Sequence, residues 1–323
     1  MIYPWHQDEW RQLAGHWAKM PHALLVFGRK NIGKNAFALH LAQALLCEKP
    51  SESRDPCGLC PSCHLFSQNG HPDFYHLRPD IPEGGSHRLQ QIKIDAVRAV
   101  IEDIQLSAVR GGRRVVLVSP AEGMNPQSAN SLLKILEEPP ENVVFLLVSH
   151  ERDRLLPTVK SRCRQIILPA PDRETAWRYA DMRRGVSREL LAFHSHAPLF
   201  PDRPEQDRLR GELLQLLAKP RLLALMDYAA SFDKQKQSLA DFLDWLQKWL
   251  VDIGLAQQKM PPVYYPSYAD VAAETAAKTT PAALFSLDGR LKALIPYGHH
   301  TLNVKLQLEY ILTEYLLILQ DKK

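Results

Sequence analysis

Long apolar runs, a dominant charge of one sign and abundant cysteine are all missing from this 323-residue chain. No uninterrupted apolar stretch approaches the ~18 residues of a membrane span, so no transmembrane helix is expected. Lys and Arg total 40 against 36 Asp and Glu, a formal net charge of +4. That balance excludes a histone-like or tail-like polycation and leaves room for local basic patches. Met1 to Trp10 has neither a basic n-region nor an apolar h-region, so no secretory signal is expected. Only five cysteines occur, and four of them fall between Cys47 and Cys63. With no mark of secretion, that clustering argues for a metal rather than disulfides, in a reducing compartment, most simply the cytoplasm. What is present is ordinary globular material: 45% hydrophobic residues, and length for two or three domains at about 150 residues each.

Along the chain, Ala23 to Gly28 reads as a buried strand ended by glycine. Ala36 to Leu46 reads as a helix, with Phe37, Leu41 and Leu45 four residues apart. Asp80 to Arg88 is rich in proline, glycine and polar residues and reads as a loop. Ile92 to Ile104 is helical, Arg113 to Val118 a second strand, Val143 to Val148 a third and Arg164 to Leu168 a fourth. The helix Pro126 to Glu138 has clear ends, with Asn125 as N-cap, Pro126 in the first turn and Pro139-Pro140 as the stop. Strand–helix alternation up to residue 168 implies an α/β domain with a parallel sheet. Beyond Pro169 only helical periodicity remains. Pro198 to Pro204, with three prolines, reads as a linker. Leu239, Phe242, Leu243, Leu246, Trp249 and Leu250 share one helical face, as do Leu308, Ile311, Leu312, Tyr315, Leu316 and Leu319. The division expected is 1–169, 170–205 and 206–323.

Gly28-Arg-Lys-Asn-Ile-Gly33-Lys34-Asn35 lies between a predicted strand and a predicted helix. A nucleotide loop needs G-x-x-x-x-G-K-[ST] there: backbone N–H groups wrap the phosphates, Lys reaches the β/γ oxygens and the hydroxyl holds Mg²⁺. Asn35 replaces the hydroxyl. The strand Val115 to Val118 ends in Ser119-Pro120, where an acidic pair belongs, and Glu122 comes two or three residues late. Two defects in the metal-binding part predict a nucleotide-binding fold without hydrolysis. Gly28 and Gly33 either only turn the chain or support residual phosphate binding; both readings stand, and ATP in this site is in doubt.

Cys57-Gly-Leu-Cys60-Pro-Ser-Cys63 gives C-x₂-C-x₂-C, with Cys47 upstream. Four thiolates complete a closed tetrahedral zinc site whose role is structural. An iron–sulfur cluster is the rival, but the usual downstream Cys-Pro is missing. His64 or His71 could replace Cys47. Cys163 reads as a small buried hydrophobe.

Ala129-Asn-Ser-Leu-Leu-Lys-Ile-Leu-Glu-Glu-Pro-Pro140 and Ser161-Arg162-Cys163, together with the phosphate loop and four cysteines in order, resemble the clamp-loader branch of the AAA+ proteins. The match is closest to the delta-prime members of bacterial DNA polymerase III. Tyr3-Pro-Trp, His22-Ala-Leu-Leu and His71-Pro-Asp-Phe-Tyr are similar to that family too, so its motifs cover residues 1–168. The C-terminal half matches in size and helical character, and around Leu302-Asn303-Val-Lys-Leu. The resemblance implies an AAA+ P-loop domain with its zinc insertion at 47–63, a small helical lid and an all-α C-terminal collar. It implies a non-catalytic stator that assembles with γ/τ and δ subunits, acts on the β sliding clamp through the assembly and meets primed DNA weakly. It also implies that Arg162 serves as an arginine finger to ATP on a neighbouring subunit, worth roughly 10³–10⁵ in rate. The family is grouped with DNA-directed DNA polymerase, but no independent activity is expected of this chain. Ser149 and His150 fall where a γ-phosphate sensor stands in active members. No arginine occupies Ser195 to Pro198, where their second sensor lies.

Arg110, Arg113 and Arg114, and further on Arg152, Arg154, Lys160 and Arg164, could neutralise phosphates or could be ordinary solvated side chains. No aromatic-interleaved stripe supports single-strand binding by the chain alone. Two rival functions remain: an active ATPase motor using Glu122, and a stand-alone zinc-containing nucleic-acid module.

Overall fold

The computed structural model describes residues 2–79, 91–110, 112–182, 186–295 and 303–320. The loop expected at Asp80 to Arg88 lies outside the described residues. Two compact units divide at Asp172/Arg173.

The first unit contains α1 (Gln7–Gly15), β1 (Ala23–Phe27), α2 (Lys34–Leu46), α3 (Pro61–Ser67), β2 (Phe74–Leu77), α4 (Ile94–Asp103), β3 (Arg114–Val118), α5 (Pro126–Glu137), β4 (Val143–Ser149), α6 (Pro157–Ser161) and β5 (Arg164–Ile167). Its five strands form one sheet in the order β2-β3-β4-β1-β5, every pair parallel. β3 and β4 are buried along their whole length, and β1 from Ala23 to Val26. Continuous apolar runs such as Val-Val-Phe-Leu-Leu-Val need that environment, because helices cover both faces of a parallel sheet. Leu25 pairs with Leu147, and Val116 with Phe145. These side chains pack against Val97 of α4, Leu132 and Leu136 of α5, and Val159 of α6. The caps read from the sequence form: the Asn125 side chain accepts the N–H of Ser128, and α5 stops before the two prolines.

The sequence pattern predicts four strands before residue 169, and the described residues form five. The extra one, β2, is an edge strand and only half-buried, so Phe-Tyr-His-Leu carries no long apolar signal. The short α3 and α6 were not expected either. Both start at a proline after a loop residue, and five to seven residues are too few to show a period.

Among the described residues the second unit forms only helices: α7 (Arg173–Asp181), α8 (Arg188–Phe193), α9 (Pro204–Ala218), α10 (Leu222–Lys234), α11 (Leu239–Gln257), α12 (Ala269–Lys278), α13 (Pro281–Leu294) and α14 (Val304–Gln320). Ala176, Ala180, Leu191 and Phe200 make a small apolar cluster of their own. The stripes on α11 and α14 are core, with Leu316 and Leu319 at its margin. The indole N–H of Trp249 donates to the Tyr315 hydroxyl at 3.0 Å, and that hydroxyl donates to the Leu217 carbonyl at 3.2 Å, tying together α11, α14 and α9. Asp252 is buried, and its carboxylate accepts the N–H groups of Val263, Tyr264 and Tyr265. No helix among the described residues is long and apolar enough to cross a membrane.

Candidate functional site

In a parallel sheet, the loops beyond the carboxyl ends of the strands converge, and ligands are bound there. Here the Gly28–Gly33 loop leaves β1, Ser119 to Gly123 leaves β3, and Ser149-His150 leaves β4. A Cβ at Gly28 would meet the Leu168 carbonyl oxygen at 2.6 Å, so only glycine lets the loop pass. Gly33 has φ 100° and ψ 18°, a left-handed N-cap that starts α2. The Trp5 indole donates to the Ile32 carbonyl at 2.9 Å and ties the N-terminal segment to this loop.

Lys34 is buried, and its ammonium donates to the Arg29 carbonyl within the same loop. Burial pulls its pKa down to about 8, against the opposing attraction of Glu122. Glu122 accepts the N–H of His150 at 2.8 Å through Oε1, while its buried Oε2 has no partner among the described residues. Burial, with the charges of Lys34 and Lys30, lowers His150 to about 4. His6 is fully buried, bonds the Pro169 carbonyl at 3.2 Å through Nε2 and is likewise lowered to about 4, chiefly by burial. Thus the late acid lies near enough to the loop lysine for their charges to interact, while each makes its hydrogen bond elsewhere. Asn35 is exposed on the first turn of α2, and Ser119-Pro120, joined by a cis peptide, supplies no carboxylate.

The four cysteines converge as well. Cys47 follows α2, Cys57 lies in the loop, Cys60 caps α3, and Cys63 sits in its first turn. Their sulfurs all lie within 4.8 Å of one another, with Cys47–Cys60 at 3.9 Å and Cys57–Cys63 at 4.0 Å. A tetrahedron of sulfurs about 2.3 Å from a zinc ion has edges of about 3.8 Å, so the set fits a closed Cys₄ metal site. Backbone N–H groups of Cys57, Cys60 and Cys63 point at the sulfurs of Cys47, Cys57 and Cys60, at 3.3, 3.3 and 3.4 Å. Such donors stabilise thiolates, and those of Leu59 and Cys60 hold the Cys57 thiol down at about 6. The cluster uses Cys47 and neither histidine: His64 is exposed, and His71 accepts the N–H of Asp73. Cys163 is buried far from this cluster in sequence.

Arg162 follows the last turn of α6. One terminal nitrogen donates to the Thr158 carbonyl at 3.0 Å and to the Ser161 hydroxyl at 3.4 Å; the other pairs with the Glu137 carboxylate at the end of α5. The pair joins the two motifs that were distinctive in the sequence.

A family model described as "DNA polymerase III, delta subunit" matches residues 8–172, which is half of the chain. The chain is 37% identical over 260 residues to DNA polymerase III subunit delta′ of Pseudomonas aeruginosa, covering 78% of this chain and 77% of that protein. The chain belongs to the DNA polymerase III delta-prime family. A second delta′ subunit, from Yersinia pestis, is 32% identical over 274 residues, covering 79% of this chain and 77% of that protein. Subunit tau of Escherichia coli matches at 33% over 156 residues, 48% of this chain and 23% of that protein. For a delta-prime family member, the parallel sheet with its phosphate loop is the α/β AAA+ fold, and the helical second unit is its C-terminal part.

The basic residues fare unevenly. Arg114 fits neither of its two readings, phosphate contact or solvated side chain: it is buried, and its guanidinium donates to the carbonyls of Ile104, Leu106 and Glu141. Arg110 pairs with Glu48 at 2.7 Å, and Arg154 with Glu151 at 3.1 Å. Arg113 lies over the Trp17 ring at 5.9 Å, with Arg54 at 5.7 Å from the same ring. Glu137 lies inside the motif read from the sequence, but nothing in that motif signals its pairing with Arg162. Nor does any local pattern mark Trp5 and His6 as neighbours of the loop.

Proposed function

We propose that this chain is the non-catalytic stator subunit of a DNA polymerase III clamp loader and supports ATP-dependent loading of the β sliding clamp onto primed DNA. The observation that carries the reading is a contrast within one unit. The chain's own nucleotide site has Asn35 after the phosphate loop and Ser119-Pro120 after β3 in place of the magnesium-holding groups, whereas Ser161-Arg162-Cys163 is complete and its guanidinium is held at the end of α6. A guanidinium at a neighbour's γ-phosphate stabilises charge in transfer, and this chain contributes that group to a γ/τ subunit. It polymerises nothing itself.

In this reading residues 1–169 are the AAA+ domain, 170–205 the lid and 206–323 the collar that joins γ/τ and δ neighbours. The metal at Cys47, Cys57, Cys60 and Cys63 is zinc, and its role is structural, since four thiolates leave no open position. A reducing cytoplasm keeps those thiols available. DNA contact is weak and belongs to the assembly, because Arg110, Arg114 and Arg154 are spent on partners within the chain.

The test is to assemble the chain with γ/τ and δ and compare it with Arg162→Ala. The variant assembly forms normally and loses ATP turnover at one interface; unchanged turnover refutes the reading. A second reading, an active motor, has the approach of Glu122 to Lys34 in its favour. ATP turnover by the isolated chain, abolished in Lys34→Ala, would establish it.

A further inference from the structure

The Ser161-Arg162-Cys163 motif does not hold its arginine alone. Thr158 and Ser161 lie on α6, the short helix that Arg162 follows directly, and engage one terminal nitrogen. The other terminal nitrogen is engaged by Glu137, from a different helix and 25 residues away. The two helices are fixed relative to each other by the core, where Leu136 and Val159 share one apolar cluster. We infer that Glu137 is a positioning residue for Arg162: it sets the plane of the guanidinium before a neighbouring subunit presents its phosphate. The inference rests on the trans-arginine reading and adds to it the group that makes the arginine effective.

Anchors on one helix turn fix where the guanidinium sits. They leave it free to swing about a single terminal nitrogen. A second anchor on α5 removes that freedom. A free arginine side chain samples many rotamers, and a group ordered in advance does not lose that freedom at the moment of reaction. The arrangement stays open to a partner, with the Arg162 side chain 31% exposed and that of Glu137 48% exposed. Arg162 Nε is buried with no acceptor among the described residues, which marks a guanidinium placed by its terminal nitrogens alone. Stability is a poor explanation for the pair. Exposed ion pairs contribute little, and a carboxylate at the C-terminal end of a helix faces the unfavourable end of its dipole.

The test uses the assembled complex with γ/τ and δ, saturated with primed DNA and β clamp. The loss caused by Arg162→Ala defines the share of turnover at this interface. Glu137→Ala removes at least half of that share through kcat, leaving KM for ATP, assembly and melting temperature unchanged. Glu137→Gln keeps an acceptor oxygen and loses less. Adding Glu137→Ala to Arg162→Ala lowers turnover no further, because the glutamate acts only through the arginine. Glu137→Lys, of similar length and opposite charge, repeats the loss if the alanine variant assembles poorly. Full turnover in Glu137→Ala, a rise in turnover, or additive losses in the double variant overturns the inference while leaving the arginine reading intact. No effect of Arg162→Ala removes both.

Discussion

The Glu122 carboxylate accepts the N–H of His150 at 2.8 Å, which joins the turn after β3 to the end of β4 beside the buried Lys34. An acid displaced by a few residues along the chain is thereby drawn back toward the phosphate loop. It arrives already committed to a backbone donor, and the loop lysine is bonded to its own Arg29 carbonyl. Charge compensation survives in this arrangement, whereas the hydroxyl and paired acids that grip magnesium do not.

The isolated chain is therefore expected to hydrolyse ATP at no more than the background rate, and Lys34→Ala to leave that rate unchanged. Phosphate release from purified protein, wild type against variant, is the measurement. A rate well above background that disappears in the variant contradicts the expectation.

Lys34 also makes a stability prediction. Its pKa in the folded chain is lowered to about 8, so the fold bears the cost of a buried charge below that pH. Between about 8 and the ordinary lysine value the unfolded chain binds the extra proton, and stability rises with pH. Lys34→Met should raise the melting temperature by a few degrees at pH 7, and the gain should shrink as pH climbs through 8. Thermal melts at pH 7, 8 and 9.5 read this out; a gain that grows with pH contradicts it.

The opposite pH window belongs to His6 and His150, both lowered to about 4. Each is neutral in the folded chain and takes up a proton on unfolding between its folded value and the usual ~6.5. Their contribution is complete above pH 6.5 and is lost as pH falls toward 4. His40, His71 and His76 are lowered too and add in the same direction. Replacing His150 with Asn should flatten the acid limb of the urea midpoint by about one proton. An unchanged slope shows that this ring titrates normally.

Purified protein should contain one zinc per chain, absent from Cys60→Ser. Because an ion held by these four sulfurs would tie the end of α2 to α3, its removal by a chelator should lower the melting temperature of the first unit markedly, as structural zinc sites bind with about 10 kcal/mol or more. Elemental analysis with parallel melts is decisive; a coloured, iron-rich preparation refutes the assignment.

In the second unit, Asp252→Ala should cost about 3 kcal/mol by leaving the N–H groups of Val263, Tyr264 and Tyr265 without their buried acceptor. Urea unfolding followed by tryptophan fluorescence measures it, since Trp249 lies one turn from Asp252 on α11. A change under 1 kcal/mol would mean that the loop finds other acceptors.

The linear sequence determined whatever depends on near neighbours. Apolar runs at Ala23–Phe27, Arg114–Val118 and Val143–Ser149 required a sheet buried on both faces, because such runs have no polar side to give to water. Asn125, Pro126 and the two prolines after Glu138 bounded α5, and C-x₂-C-x₂-C brought three sulfurs together. Only the tertiary structure decided that Cys47 rather than a histidine closes the set, that Glu122 bonds the His150 N–H beyond β4, that Arg114 is buried among carbonyls and that Glu137 meets Arg162. Each of these contacts crosses from one element to another. A parallel sheet places consecutive strands through long crossovers, so which strand ends lie side by side follows from strand order, and no run of neighbouring residues records that order.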